Sequence, residues 1–144
     1  MNRKMKACAL ICCVMLMLTG LFACGSKDIS AEEIWENAIY KTDTELGNGS
    51  KCVLVNVHAE GKSVVFKINT DKETLGDALL EYSLVSGEHG PYGLYIKTVN
   101  GIEADYDKTG SYWGISKNGQ SITTGADGEK ITGGEEYTIE YTKM

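Results

Sequence analysis

Past residue 24 the 144-residue sequence has a single cysteine, Cys52, so that part of the chain cannot close an intramolecular disulfide. Cys52 stands in a β-like run and reads as a small buried hydrophobe, not a reactive thiol. Histidine is almost as scarce. His58 and His89 lie far apart without metal-ligand spacing, which argues against a zinc or haem site. No serine elbow, phosphate-cradling glycine loop or cysteine–histidine pattern is present, so no nucleophile and base can be named and the chain reads as a binding protein, not an enzyme. Basic residues are also few: 11 follow Cys24 against 20 acidic ones, a net charge of −9 with histidines neutral. Such a surface repels nucleic acid and anionic lipid headgroups.

The remaining basic residues, Arg3, Lys4 and Lys6, open the chain, and an uncharged stretch from Ala7 to Ala23 follows them. This is the pattern of a secretory signal, shorter than the roughly 20 apolar residues that span a bilayer as a helix. "LFACGSKD" then sets Cys24 directly after Leu21-Phe22-Ala23 and before a polar run, which resembles a bacterial lipobox. The resemblance implies cleavage before Cys24 and acylation of that cysteine, with a palmitate-type lipid anchoring the chain outside the cytoplasm on the cell membrane of a Gram-positive bacterium. The expected organisation is a lipoprotein signal peptide over 1–23, a lipidated N-terminus and tether with a short helix over 24–50, and one domain over 51–144.

In the tether, "SAEEIWENAIY" carries a capping-box pair, Ser30 and Glu33, and an apolar stripe of Ile34, Trp35, Ala38 and Ile39 at helical spacing. "TDTELGNGSK" reads as an irregular connector. From Lys51 the period changes to two: Val53, Val55 and Val57, then Val64, Phe66 and Ile68 after an "EGK" turn, predict a β-hairpin. "TLGDALLEYSL" predicts a helix with Leu75, Ala78, Leu79 and Tyr82 on one face and Thr74 as its cap. Asn100-Gly101 and Asn118-Gly119 each separate β-like runs, the strongest short hairpin signal, and "EYTIEY" closes the chain with Tyr137, Ile139 and Tyr141 on one face. The fold class expected is α+β, a β-grasp-like mixed sheet covered by one helix.

The candidate site is aromatic. Tyr92, Tyr95, Tyr106, Tyr112 and Trp113 crowd one span that also holds Pro91, the only proline. Aromatic groups on loops over a rigid scaffold are what ligand pockets use. In "GSYWGISKNG" strand alternation sends Trp113 and Ile115 to one face and Tyr112, Gly114 and Ser116 to the other. Trp113 is expected in the core and Tyr112 in contact with a ligand. His89 in "GEHGPYG" reads as an exposed turn histidine. "DYDKTG" places Asp105, Asp107, Thr109 and Gly110 like the start of a calcium loop, yet Ser116 stands where the bidentate glutamate belongs, so the stretch reads as an acidic turn.

From Thr74 to Tyr141 the order "TLGDALLEY", "YGLYIKTVNGI", "YWGISKNG", "TTGADGEKI", "GGEEYTIEY" resembles the transcobalamin-like C-terminal domain family, whose bacterial members are often secreted or lipid-anchored. The resemblance implies a β-grasp-like fold that covers one face of cobalamin, with Trp113, Gly114, Ile115, Thr124, Gly125 and Ala126 at the ligand; Tyr92, Tyr95 and Tyr112 join them as candidate contacts from the aromatic cluster. No resident cofactor is implied; cobalamin would be the ligand. The vitamin carriers have a glutamine where this chain has Gly114, and they close the pocket with a separate helical domain for which this chain has no room. The expected function is a lipid-anchored extracytoplasmic binding protein with a corrinoid as the first ligand to test. The alternative is a cell-surface protein- or glycan-interaction module, an accessory subunit of an uptake or envelope complex.

Overall fold

The computed structural model describes residues 29–144; the signal peptide and Cys24 lie outside the described residues. Nine strands and three helices are described, and the chain is α+β. Strands β1 (Thr44–Leu46), β2 (Lys51–Ala59), β3 (Lys62–Thr70), β7 (Ser111–Lys117), β8 (Gln120–Ser121) and β9 (Glu136–Lys143) form a six-stranded mixed sheet in the order β1-β3-β2-β9-β7-β8. A second sheet, β4 (Val85–Gly90), β5 (Gly93–Val99) and β6 (Ile102–Glu103), has the order β4-β5-β6. The helices are α1 (Ala31–Glu36), α2 (Leu75–Glu81) and α3 (Tyr106–Thr109). Among them no helix is long and apolar enough to cross a membrane.

The expected mixed sheet, its α2 helix and the short helix before them are present, and the single-sheet expectation is corrected by a second, three-stranded sheet and the one-turn helix α3. "SGEHG" carries no alternating apolar pattern, yet it forms β4, because its backbone pairs with β5 through a bulge at Ser86/Gly87 and it needs no buried face of its own. β1 was hidden for the same reason: it is a three-residue edge strand, parallel to β3 from Thr44↔Phe66 to Leu46↔Ile68.

The local signals that act within a few residues are all present. Glu60-Gly61, Asn100-Gly101 and Asn118-Gly119 each take two consecutive positive φ values, the geometry of a type I′ turn, whose twist matches the flanking strands. Ser30 and Glu33 close a full capping box on α1, and the Thr74 side chain accepts from Asp77 N–H at 3.2 Å to start α2. Val53, Val55, Val57, Phe66, Ile68, Tyr137 and Ile139 are fully buried on one face of the large sheet, where Leu75, Ala78 and Leu79 of α2 join the same core.

The helix before residue 51 docks. Ile34, Trp35 and Ala38 are buried in the common core, while Ile39, the fourth member of the predicted stripe, is exposed. Trp35 Nε1 donates to Ala59 O at 2.8 Å. Asn100, wholly buried in its turn, accepts from Tyr40 N–H and donates from Nδ2 to Tyr40 O, both at 2.8 Å. Cys52 departs from expectation. It is half-buried on the opposite, partly solvated sheet face, because its register pairs it with Asn69 and not with the valine row.

Before β9 the chain turns at Thr132–Glu135. Burial of the Glu135 carboxyl raises its pKa, but hydrogen bonds from Thr132 N–H, Thr132 Oγ1 and Gly133 N–H outweigh that and hold it at about 2, against an ordinary 4.5. A carboxylate depressed in the folded state contributes stability that is complete above its unfolded pKa and is lost as pH falls through about 2. Glu135→Gln should therefore cost about 1–2 kcal/mol near neutral pH, after discounting for partial solvent exposure, and should flatten the decline in stability between roughly pH 5 and 2. Urea melts across that range are the check; parallel wild-type and variant curves would contradict it.

Candidate functional site

The turn geometry at Asn118-Gly119 decides which backbone groups of β7 are free. Asn118 N–H donates to Glu136 O and Met144 N–H to Gly110 O, so the even-numbered residues of β7 carry the ladder to β9. The odd-numbered ones point to the other edge. There β8 pairs only with Ser116 and Lys117, and Ile115 O accepts from Ile122 N–H at 3.1 Å. Trp113 N–H, Trp113 C=O and Ile115 N–H are left facing an open edge.

Across that edge lies β5. Leu94 and Ile96 are buried beside β7, and between the two strands runs a groove of about 300 Å³. Its floor is apolar, formed by Leu94, Ile96, Trp113, Ile115, Ile122 and Ala126; Tyr95 and Tyr112 stand on opposite lips and Gly114, Ser121 and Gly125 complete it. Trp113 is only 7% exposed, donates from Nε1 to Ile102 O at 3.3 Å and meets the Tyr141 ring edge-on at 5.4 Å. Its ring serves the core and its edge serves the groove.

The third wall, the segment from Ile122 to Ile131, has almost no regular structure and is held by named contacts. Gly76 N–H at the start of α2 donates to Ala126 O at 2.8 Å, and Leu75 N–H to Glu129 O at 2.8 Å. A Cβ on Gly76 would come within 2.9 Å of the Asp127 backbone, so this approach requires glycine. The Asp127 carboxylate accepts from Leu94 N–H at 3.0 Å and rests on Gly93, whose φ of 101° and lack of Cβ leave it room. Asp127 thereby occupies the position a neighbouring strand would take at the end of β5.

Beneath this wall is a charged anchor. Lys117 Nζ and Tyr137 Oη both donate to Glu129 Oε1 at 2.9 Å, and Lys117 lies 5.6 Å over the Tyr137 ring. The Lys117 hydrogen bond holds the Glu129 carboxyl below its usual range, and the same contact raises Lys117. Burial, helped by Glu129, pushes the Tyr137 phenol up. At neutral pH the trio is a fixed cation, anion and neutral phenol, which pins the groove wall to β7 and β9.

Of the residues singled out from sequence, Tyr95, Tyr112, Trp113, Gly114, Ile115, Gly125 and Ala126 come together in this groove. Thr124 and Tyr92 do not. Thr124 is exposed and lines a separate depression beside the β7–β8 turn, while Tyr92 sits at the tip of the β4–β5 hairpin with 96% of its surface exposed. Leu94, Ile96, Ser121, Ile122 and the latch residue Asp127 were not foreseen, because nothing local tells an alternating strand that its neighbour will be missing. Asp105 is a helix cap: its side chain accepts from Lys108 N–H at 3.0 Å and pairs with Lys108 Nζ at 3.3 Å, so "DYDKTG" starts α3. Among the described residues no three of His, Cys, Asp and Glu converge as metal ligands.

Residues 72–143 match the family described as Domain of unknown function (DUF4430). Among solved structures, a protein from Ruminococcus gnavus ATCC 29149, provisionally described as metal binding, is 34% identical with a TM-score of 0.62, over 66% of this chain and 99% of that one. Haptocorrin in complex with Cbi is 17% identical with a TM-score of 0.49, over 68% of this chain and 27% of that one. No curated protein matches significantly.

Proposed function

The chain belongs to the DUF4430 family of domains of unknown function, and on that premise we propose that it is a binding protein whose β5–β7 groove takes a small soluble ligand, with a corrinoid the first candidate. The observation that carries this reading is the convergence on one apolar groove of Trp113, Gly114, Ile115, Gly125 and Ala126, named for the resemblance to the transcobalamin-like domain, with Tyr95 and Tyr112 of the aromatic cluster. The lipobox-like Cys24 supports a lipid-anchored place outside the cytoplasm, where such a protein captures ligand at the membrane. A groove of about 300 Å³ covers only part of a corrinoid, so the affinity expected of the isolated chain is modest unless a partner supplies the other half. The role proposed is binding without catalysis. A metal cargo would need ligands that the described residues do not bring together.

Calorimetric titration with cobalamin and cobinamide tests the reading, repeated with Tyr112→Ala. Tyr112 is half-buried on a groove lip and outside the core, so its loss should leave the melting temperature within about 2 °C and weaken binding at least fivefold. Absence of heat with every corrinoid, from folded protein, removes the corrinoid candidate. A second reading, a surface module for a protein or glycan, is favoured by Tyr92 alone: a nearly fully exposed ring on a hairpin tip between Pro91 and Gly93 is a contact group in search of a surface.

A further inference from the structure

We propose that Asn118-Gly119, at the tip of the β7–β8 hairpin, is a site of spontaneous deamidation, and that its conversion releases β8 from the rim of the groove. The sequence has three Asn-Gly pairs, at 48–49, 100–101 and 118–119, so the dipeptide alone does not choose among them. The chemistry is the same at each. The amide nitrogen of the glycine attacks the asparagine side-chain carbonyl carbon, and ammonia leaves. Water then opens the resulting succinimide at one carbonyl to give aspartate, or at the other to give isoaspartate, in which the backbone runs through the side chain. Nothing but water is consumed. An asparagine held by hydrogen bonds, or a glycine wedged against its neighbours, cannot swing into that ring until the local structure opens, so the rate at each site follows the cost of opening.

The three sites differ in that cost. Asn100 is wholly buried, both polar atoms of its side chain bond the Tyr40 backbone at 2.8 Å, and a Cβ on Gly101 would collide with Asn37 O. Opening that turn also breaks the hold on Tyr40. Asn48 is exposed, but its neighbours are packed: a Cβ on Gly47 would collide with Asn69 O and one on Gly49 with the Thr70 backbone, while Ser50 holds Asp71 Oδ1 through its N–H at 2.9 Å and its hydroxyl at 2.8 Å. At the third site Asn118, Gly119 and Gln120 are all exposed, and a Cβ on Gly119 would meet nothing within 4 Å. Beyond the Asn118 N–H bond to Glu136 O at 3.3 Å, this hairpin rests on two residue pairs and the Ile122 N–H bond to Ile115 O at 3.1 Å. It opens most cheaply. Isoaspartate then lengthens the backbone of a two-residue type I′ turn, which cannot absorb the extra carbon and keep its closing pair. Ser121 and Ile122 line both the groove and the polar depression beside it, so release of β8 takes a wall from each.

The test is incubation of the purified protein in warm, mildly alkaline buffer followed by tryptic mapping with mass spectrometry. Cleavage after the lysines places each Asn-Gly pair in its own peptide, residues 42–51, 98–108 and 118–130. The acid form is expected to accumulate at position 118 at least roughly fivefold faster than at 48, with 100 slower still. A parallel incubation in urea removes the fold, and there the three rates should converge. A faster rate at 48 or 100 in the folded protein, or the same ranking in urea, overturns the inference. In the aged protein, hydrogen exchange at the Ile122 amide is expected to quicken at least roughly tenfold. Exchange unchanged from that of fresh protein overturns the release of β8.

Discussion

Trp113→Ala is expected to lower stability by about 3–5 kcal/mol, the cost of emptying a buried indole site that cannot collapse. The indole fills the space between the end of β9 and the β5–β6 turn. Its removal loses the edge-on contact with Tyr141 and the indole hydrogen bond to Ile102 O. For a domain of this size that corresponds to a fall in melting temperature of very roughly 10–20 °C. The variant also widens the groove, so any ligand affinity should fall with the stability. Tyr112→Ala is the control, since the neighbouring ring lies on the other face of the same strand and should cost less than about 1 kcal/mol. Thermal melts of the two variants side by side are the measurement. A small loss for Trp113 with a large one for Tyr112 would show the two faces of β7 assigned backwards.

Trp35→Ala should be as damaging, by about 3–5 kcal/mol, although Trp35 lies in a segment whose sequence reads equally well as a tether. The ring is 6% exposed in the shared core, and its Nε1 is the side-chain donor to Ala59 O at the end of β2. Loss of that side-chain hydrogen bond adds to the cavity cost. Urea denaturation distinguishes two ways of failing. If α1 belongs to the cooperative unit, the midpoint drops and the slope stays constant; if α1 unfolds by itself in the variant, the slope falls because less surface is exposed in the main transition. An unchanged midpoint would show that α1 contributes nothing to the domain. Asn100→Ala should reproduce part of the loss, because both hydrogen bonds from its side chain go to the Tyr40 backbone.

What was legible in the sequence follows the range of the forces involved. The "EGK" and Asn-Gly turns, the caps at Ser30 and Thr74 and the period-two rows through β2, β3 and β9 depend on neighbours within a few residues. Each was readable, and each formed. β4 was not, because "SGEHG" has no apolar row and is a strand only by virtue of β5 beside it. The half-buried position of Cys52 was missed for a related reason, since the parity of its strand is settled by which row the core covers. At the groove, the motif around Trp113 and the small residues Gly125 and Ala126 were legible, but Leu94, Ile96 and Asp127 were not. Their role depends on contacts with residues some 20 to 30 positions away.

By itself, then, the sequence determined the turns, the caps, the strand faces and an acidic α+β chain with an aromatic cluster, because side-chain size, charge and backbone preference act locally. Tertiary structure decided the rest: that β8 stops short and leaves Trp113 and Ile115 with an open edge, that β5 of a second sheet faces this edge, and that α1 is part of the core. A missing strand has no residue to announce it. The groove is lined by residues of β5 in one sheet and β7 in the other, which share one hydrophobic core, so it is a property of how the two sheets pack.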